Sequence, residues 1–343
     1  MNKTDIEYLD YTWNPLAMRC TPVSEGCANC WHLKFANRHA HNPQFSQEMR
    51  KAYAGGLPYL REDELEAPYK KKRSRIGVQF MGDIYHEKNS FETIWRIYDV
   101  MSGAAQLKGH DFFVLTKRLE RALEFFHWVK AGLEDNRKKG MMVITWPSPK
   151  VWLGASVENQ EQADKRIPIL LQIPAAVRFV SCEPLLSFLD LRDYIDLPNH
   201  CCPGCGWVPL EGMHDFIDMH GQDVKCIRCD SKMVNRGLDW IICGGESGPK
   251  ARPLHPDWAR GVRDQCVEAG VSFFFKQFGE WEACPPTRHI RDTSLDGAFW
   301  VDYKGNVHDY VATTDGVFMR KVGKKAAGRK LDGKIHSEFP GVV

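Results

Sequence analysis

Cys20, Cys27 and Cys30 lie within eleven residues, CTPVSEGCANC, in the spacing C-x6-C-x2-C. Pro22 and Gly26 favour a turning loop between them, and Trp31, Lys34, Phe35, Ala36 and Arg38 continue as an amphipathic helix. The thiols therefore stand at or near a helix N-terminus, where the dipole favours thiolates. A [4Fe–4S] cluster normally takes four thiolates, so three leave one iron open. S-adenosylmethionine can chelate such an iron through its amino and carboxylate groups. An electron from the cluster then cleaves the sulfonium bond to give a 5′-deoxyadenosyl radical. The same cysteines with His32 or His39 also form a Cys3His set suited to zinc.

A second metal motif follows. CPGC (202–205) and CIRC (226–229) are two C-x2-C pairs separated by twenty residues. Cys202, Cys205, Cys226 and Cys229 can enclose zinc in a tetrahedron. The short segment between them, with Gly206 and Gly221, lacks a core of its own and needs the metal to fold. It reads as a structural clip or as a substrate-gripping ribbon, with a second iron–sulfur cluster as the alternative and Cys201 as a competing ligand. GGESGPKARP (244–253) places Gly244 and Gly245 before Glu246. These glycines either let backbone N–H groups approach an anion or make a tight strand-to-helix turn. The G-x-G-x-x-G dinucleotide spacing is absent. Cys182, Cys243 and Cys266 sit in apolar runs and read as core filler, although the weak S–H bond of Cys182 would suit hydrogen donation to a radical.

The elements that position these groups are legible as an alternation. IGVQFMGD (76–83), DFFVLTK (111–117), VWLGASVE (151–158), VRFVSCEP (177–184), LDWIICGGE (238–246) and VSFFFKQ (271–277) are short, apolar and rich in β-branched or aromatic residues, as buried strands are. Between them SFETIWRIYDVMSGAAQ, RLERALEFFHWVKAG, NQEQADKRIPILLQ and HPDWARGVRDQCVEAG carry helical periodicity. Such an order predicts an α/β fold with a parallel sheet. Each strand ends in a polar group: Asp83, Lys117, Glu158, Glu183, Glu246, and Lys276 with Gln277. Ligands bind at the carboxyl ends of parallel strands, so these groups outline a polar cavity. Asp83, Glu183 and Lys276 are the candidate catalytic groups. Asp83, Lys117, Glu158, Gly244, Gly245 and Glu246 are the candidate cofactor-binding ones, and His86 is either a loop histidine or a neighbour of the cofactor.

The chain has 343 residues, 43% hydrophobic, with a net charge of +2 that neither demands nor excludes nucleic acid. No apolar stretch reaches the roughly 20 residues a membrane span needs, and the polar N-terminus is not a secretory signal. The expected location is cytoplasmic, where the 12 cysteines stay reduced and clusters of them read as metal ligands. The charged stretch 60–75 reads as a surface loop. YKKKRSR (69–75) and RKVGKKAAGRK (320–330) are either phosphate-binding or solvated basic faces, and Trp13, Phe278 and Trp281 either stack a base or pack the core.

The motifs TWNPLAMRCTPVSEGCANC, FMGDIYHE, FVLTKR, VWLGASVENQ, VRFVSCEPLL, DWIICGGESGPKARPLHPDW, FFFKQFGEW and VGKKAAGRKLDG closely resemble those of the phage and bacterial three-Cys-motif family, a radical-SAM-like group of unassigned reaction. The resemblance covers most of the chain outside 199–236. It implies a partial (β/α) TIM-like barrel of radical-SAM type, with the cluster at its mouth and a zinc-ribbon insertion. The divisions expected are 1–198 for the first part of the barrel with the cluster loop, 199–236 for the insertion, and 237–343 for the last strands and a basic tail. The loop is longer than the commonest radical-SAM spacing, C-x3-C-x2-C, but keeps its C-x2-C half. The activity implied is reductive cleavage of S-adenosylmethionine at a [4Fe–4S] cluster, with nucleic acid or a nucleotide as the preferred substrate class. The implied partners are an electron donor and a three-Cys-motif partner protein. The rivals are a zinc-only nucleic-acid-binding module and a non-radical iron–sulfur redox or scaffold protein.

Overall fold

The computed structural model describes residues 1–138, 146–195, 200–201, 234–235, 237–284, 298–308 and 315–341. Strands β1 (Asn2–Lys3) and β2 (Tyr11–Trp13) precede helices α1 (Trp31–Ala40) and α2 (Gln47–Tyr53). The alternation then runs β3 (Arg75–Val78), α3 (Phe91–Lys108), β4 (Asp111–Thr116), α4 (Leu119–Lys138), β5 (Val151–Ser156), α5 (Gln160–Leu170) and β6 (Arg178–Cys182). It ends in β7 (Trp240–Gly244), α6 (Pro256–Ala269) and β8 (Ser272–Gln277). All six strands expected from the apolar runs are present. Helices start where a side chain takes an orphan N–H: Ser90 accepts from Thr93, Asn159 from Gln162 and His255 from Asp257.

These eight strands form one sheet whose spatial order is their chain order. Every neighbouring pair from β2 to β8 is parallel, and β1 is antiparallel to β2. Winding that never reverses, with crossovers of one hand, leaves the helices on a single face of the sheet. The packing agrees. One core joins Phe112, Val114, Leu153, Val180, Ile241 and Phe275 to α3, α4, α5 and α6, whereas the other joins Tyr8, Phe113, Trp152, Phe179, Trp240, Ile242 and Phe274 without any helix residue.

That helix-free face is strongly curled. Three strand intervals separate β4 from β7, which on a flat sheet is about 14 Å. The rings of Phe113 on β4 and Trp240 on β7 nevertheless lie 6.0 Å apart, and Tyr8 touches both of them and Phe274 on β8. Aromatic side chains fill the concave face at the end where the strands begin, with Phe339 stacked on Trp240 at 5.0 Å.

The end of the chain differs from the basic tail expected. β9 (Trp281–Cys284), β10 (Ala298–Val301), β11 (Val307–His308) and β12 (Val317–Lys321) form a separate antiparallel sheet in the order β9-β12-β10-β11. Its strands are short and separated by polar segments, so they carry little periodic signal. Beyond it the chain returns to the edge of β8, where Phe275 N donates to His336 O at 3.1 Å and Glu338 N to Phe273 O at 3.2 Å. An otherwise bare edge strand is thereby covered.

Residues 60–75 likewise contain ordered turns, at Glu62–Leu65 and Pro68–Lys70. The expected insertion at 199–236 is framed by two paired strands, His200–Cys201 and Val234–Asn235. Its four candidate zinc ligands, Cys202, Cys205, Cys226 and Cys229, lie outside the described residues. Among the described residues no helix is long and apolar enough to cross a membrane.

Candidate functional site

The three-cysteine loop lies across the carboxyl ends of the parallel strands, tied to four of them. After β3, Asp83 is buried and accepts from Thr116 Oγ1 at 2.8 and 2.9 Å, Lys117 N at 3.1 Å and Arg118 Nη1 at 3.2 Å. Arg118, itself 5% exposed, reaches onward into the loop. Its Nη2 donates to Thr21 O at 3.0 Å and Thr21 Oγ1 at 2.8 Å, and its Nη1 lies 3.6 Å from Cys20 Sγ. His86 meets the same Thr21 hydroxyl through Nε2 at 3.1 Å.

After β5, Glu158 has a fully buried side chain. It accepts from Gly26 N at 3.1 Å, from Arg166 Nη1 at 2.9 Å and from Lys117 Nζ at 3.4 Å, while Lys117 also donates to Ser24 Oγ at 3.2 Å. A side chain at position 26 would put its Cβ 2.7 Å from Lys117 Nζ and 3.0 Å from the Glu158 carboxyl, so glycine allows the loop to lie this close. After β7, Glu246 accepts from Asn29 Nδ2 at 3.0 Å and from Arg252 N, Nε and Nη2 at 2.8, 2.9 and 2.8 Å. Arg252 Nη1 continues to Glu25 at 3.1 Å.

The thiols themselves are free and partly exposed. Burial pushes Cys20 up to about 11, reinforced by the Asp83 carboxylate and opposed by Arg118. At Cys27 burial is outweighed by the Lys117 ammonium and by hydrogen bonds from Val23 and Ser24, and its pKa is lowered. Burial raises Cys30, against the favourable backbone of His32 and Leu33 in the first turn of α1. A negative charge on Cys27 raises both of the other thiols, so it sits electrostatically between them. Among the described residues no three His, Cys, Asp or Glu side chains converge tightly enough to hold one ion. The two histidines weighed for a Cys3His site each keep a buried Nδ1 without a hydrogen-bond partner. Buried His32, held down to about 4 by desolvation and by Arg19, accepts the Cys20 N–H on Nε2 at 3.3 Å. His39 packs edge-on against Phe35, Phe45 and Tyr53.

The donor chemistry of the loop suits an iron–sulfur cluster. It supplies three unpaired thiols on one short turn, a guanidinium on one sulfur, an ammonium that favours a second as thiolate, and a helix N-terminus behind the third.

The other expected site residues separate into two sets. Glu183 after β6 pairs with Lys276 on β8 at 2.8 Å and lies against Gly244, apart from the loop contacts. Gly245 is a packing residue, since its N–H donates to Gln277 O at 2.8 Å and an added Cβ would fall 2.1 Å from Phe278 O. Gln277 is equally internal, donating to Gly245 O at 2.9 Å and Ser247 Oγ at 3.2 Å. Cys182, Cys243 and Cys266 are buried in the core beneath the helices, so the filler reading describes them. Trp13 is wholly buried and Trp281 nearly so, each with its indole N–H bonded to a backbone carbonyl. Sequence reading passed over Arg118, Arg166, Arg252 and Asn29. Of these, Arg118, directly after Lys117, Arg252, inside the glycine-rich segment, and Asn29, directly before Cys30, stood beside residues already singled out.

Comparison with curated proteins gives no match, and neither does comparison with solved structures. A family model described as "Protein of unknown function (DUF5131)" matches residues 3–340, which takes in the cysteine loop, every parallel strand of the main sheet and the returning C-terminal segment. The chain therefore belongs to that family.

Proposed function

We propose that this protein is a radical-SAM-like enzyme, with Cys20, Cys27 and Cys30 holding a [4Fe–4S] cluster whose fourth iron takes S-adenosylmethionine. The observation that carries the reading is the loop itself: three unpaired thiols fastened across the carboxyl ends of several parallel strands, where α/β proteins bind ligands. The finer fold reading, a partial (β/α) barrel of radical-SAM type, is supported by the chain-ordered strands and the curl of the sheet. When bound, such a cluster supplies the electron that breaks the sulfonium bond.

The chain's own residues have separable tasks. Arg118 links Asp83 to Thr21 and Cys20, so it fixes the first sulfur and supplies an N–H to it. Lys117 lowers the pKa of Cys27 and holds Ser24. Glu158 and Glu246 anchor the two halves of the loop through Gly26 and Asn29. These residues act as positioning groups. The reading requires an external one-electron donor and keeps a three-Cys-motif protein as its proposed partner. Zinc at 202–229 stays part of the proposal.

Iron, sulfide and zinc counting on protein made without oxygen tests it. The expected result is a brown protein with about four irons and four sulfides bound by the loop, losing iron but not zinc in Cys27→Ala. With reductant and S-adenosylmethionine it should release 5′-deoxyadenosine. A colourless protein with one zinc on the cysteine loop overturns the reading.

The preference for a nucleic acid or nucleotide substrate drew on two basic segments. In the fold, Lys70 pairs with Glu66, Lys71 lies over Tyr11, Arg320 pairs with Glu282 and Arg329 bonds to Ser337. These four cations have partners within the protein, which lessens their share in any phosphate contact.

A further inference from the structure

The charged groups at the strand ends are matched in sign: Asp83 with Arg118, Glu158 with Lys117 and Arg166, Glu246 with Arg252, and Glu183 with Lys276. Three of these acids are saturated by several donors and spend them on the cysteine loop or its supports. The fourth pair is different. Among the described residues Glu183 is ion-paired to Lys276 alone, and the two heads keep 16% and 13% exposure. The pair bridges β6 and β8 over the end of β7.

A second observation points to the same place. Ser181 is 1% exposed, and its Oγ is buried with no hydrogen-bond partner. It lies between Phe179 and Glu183, two residues from each, on the concave face of the curled sheet. The charge of Glu183 is also felt by Tyr8, which belongs to that face. On the adjoining strands the same face carries Ile242 and Phe274, both packed inside its apolar core. Two opposite, partly exposed charges and one unanswered hydroxyl are polar groups of the kind that fix a ligand's orientation.

We infer that Glu183, Lys276 and Ser181 form a binding site for a small dipolar ligand of α-amino-acid type. Its ammonium takes Glu183, and its carboxylate takes Lys276 and the Ser181 hydroxyl. Such a ligand replaces the internal pair without changing the net charge, whereas a phosphate would leave the Glu183 carboxylate facing an anion. As a substrate site this rests on the cluster reading; as a binding site it does not.

Thermal shift and calorimetry on the full-length protein test it, using each common α-amino acid, the matching amines and carboxylic acids, inorganic phosphate and a nucleoside monophosphate. At least one amino acid should raise the melting temperature as mass action requires, with its amine and acid counterparts much weaker. Lys276→Gln should weaken that ligand by more than about tenfold. Ser181→Ala should weaken it severalfold, yet raise the melting temperature of the free protein by removing an unpaired buried hydroxyl. The same binding should persist in Cys27→Ala, so iron content decides the cluster reading and ligand shift decides this one. The inference is overturned if no amino acid binds, if either half alone binds as well, or if phosphate or the nucleotide binds in a Lys276-dependent way. It is equally overturned if binding survives both substitutions unchanged.

Discussion

Where the parallel strands begin, the concave face carries Phe113, Trp152, Phe179, Trp240 and Phe274; where they end, it carries Lys117, Glu158, Glu183, Glu246 and Lys276. Each ionic group stands at or just past the end of its strand, two to six positions beyond the aromatic, so the sheet changes from aromatic to ionic along its length. The aromatic end gains stability from buried area and ring contacts. The ionic end gains little net stability, because desolvation offsets most of the attraction in a buried pair. Its pairs instead hold geometry, and most of that geometry is spent on a loop carrying three thiols.

Substitutions at the two ends should therefore fail in different ways. Trp240→Ala, at the aromatic end, should lower unfolding free energy by about 3–5 kcal/mol. Iron bound per folded molecule should be unchanged, as urea titration with metal analysis would show. Loss of iron without loss of stability would reverse the assignment of roles. Arg118→Met leaves Asp83 buried without its cation, an expected cost of about 3 kcal/mol. Here iron content should fall too, because Thr21 and Cys20 lose their tether. The double variant Asp83→Asn with Arg118→Met should be less destabilised than the sum of the singles, and strict additivity would show that the pair is not coupled. Gly26→Ala tests positioning with least damage. Its methyl meets the flexible end of Lys117 and the buried Glu158 carboxyl, so stability should fall by about 1–2 kcal/mol while iron retention drops.

Much of this contrast was legible in the sequence, because period-2 strands and polar strand ends are local signals. Asp83, Lys117, Glu158 and Glu246 were recognisable as strand-end groups with chemistry to do. Whether that chemistry faced a ligand or the protein was not, since it depends on partners far along the chain. Glu158 is set by Gly26, 132 residues away, and Glu246 by Asn29, 217 away. The basic C-terminal run shows the same limit. Counting cations shows charge but not the acids that meet it, and Arg320 belongs to a strand whose partners begin at Trp281. The sheet β9–β12 was missed because two- to five-residue strands separated by polar segments offer too few alternations to register.

Acid should sharpen the comparison between ionic groups that are buried and those that are not. Asp332 accepts from Arg260 and Arg263 of α6, and these two guanidiniums hold its carboxyl down to about 2. It is 39% exposed, so solvent screens the interaction. A carboxyl lowered on folding stabilises the native state above its unfolded value, near 3.8, and loses that contribution as pH falls through its folded value. Asp332→Asn isolates the charge, because Asn tolerates the left-handed backbone found there, φ 52°. The variant should melt on the order of a degree lower at pH 7. The gap should narrow as pH falls from 3.8 and close near pH 2. Glu158, whose pKa is lowered by Lys117 and Arg166 against a full burial penalty, obeys the same sign. Glu158→Gln should be more destabilising at neutral pH, because it leaves two cations over a buried amide, and should release the loop at Gly26. If the two variants lose the same stability and neither alters iron binding, the mouth is no more specialised than the outer surface.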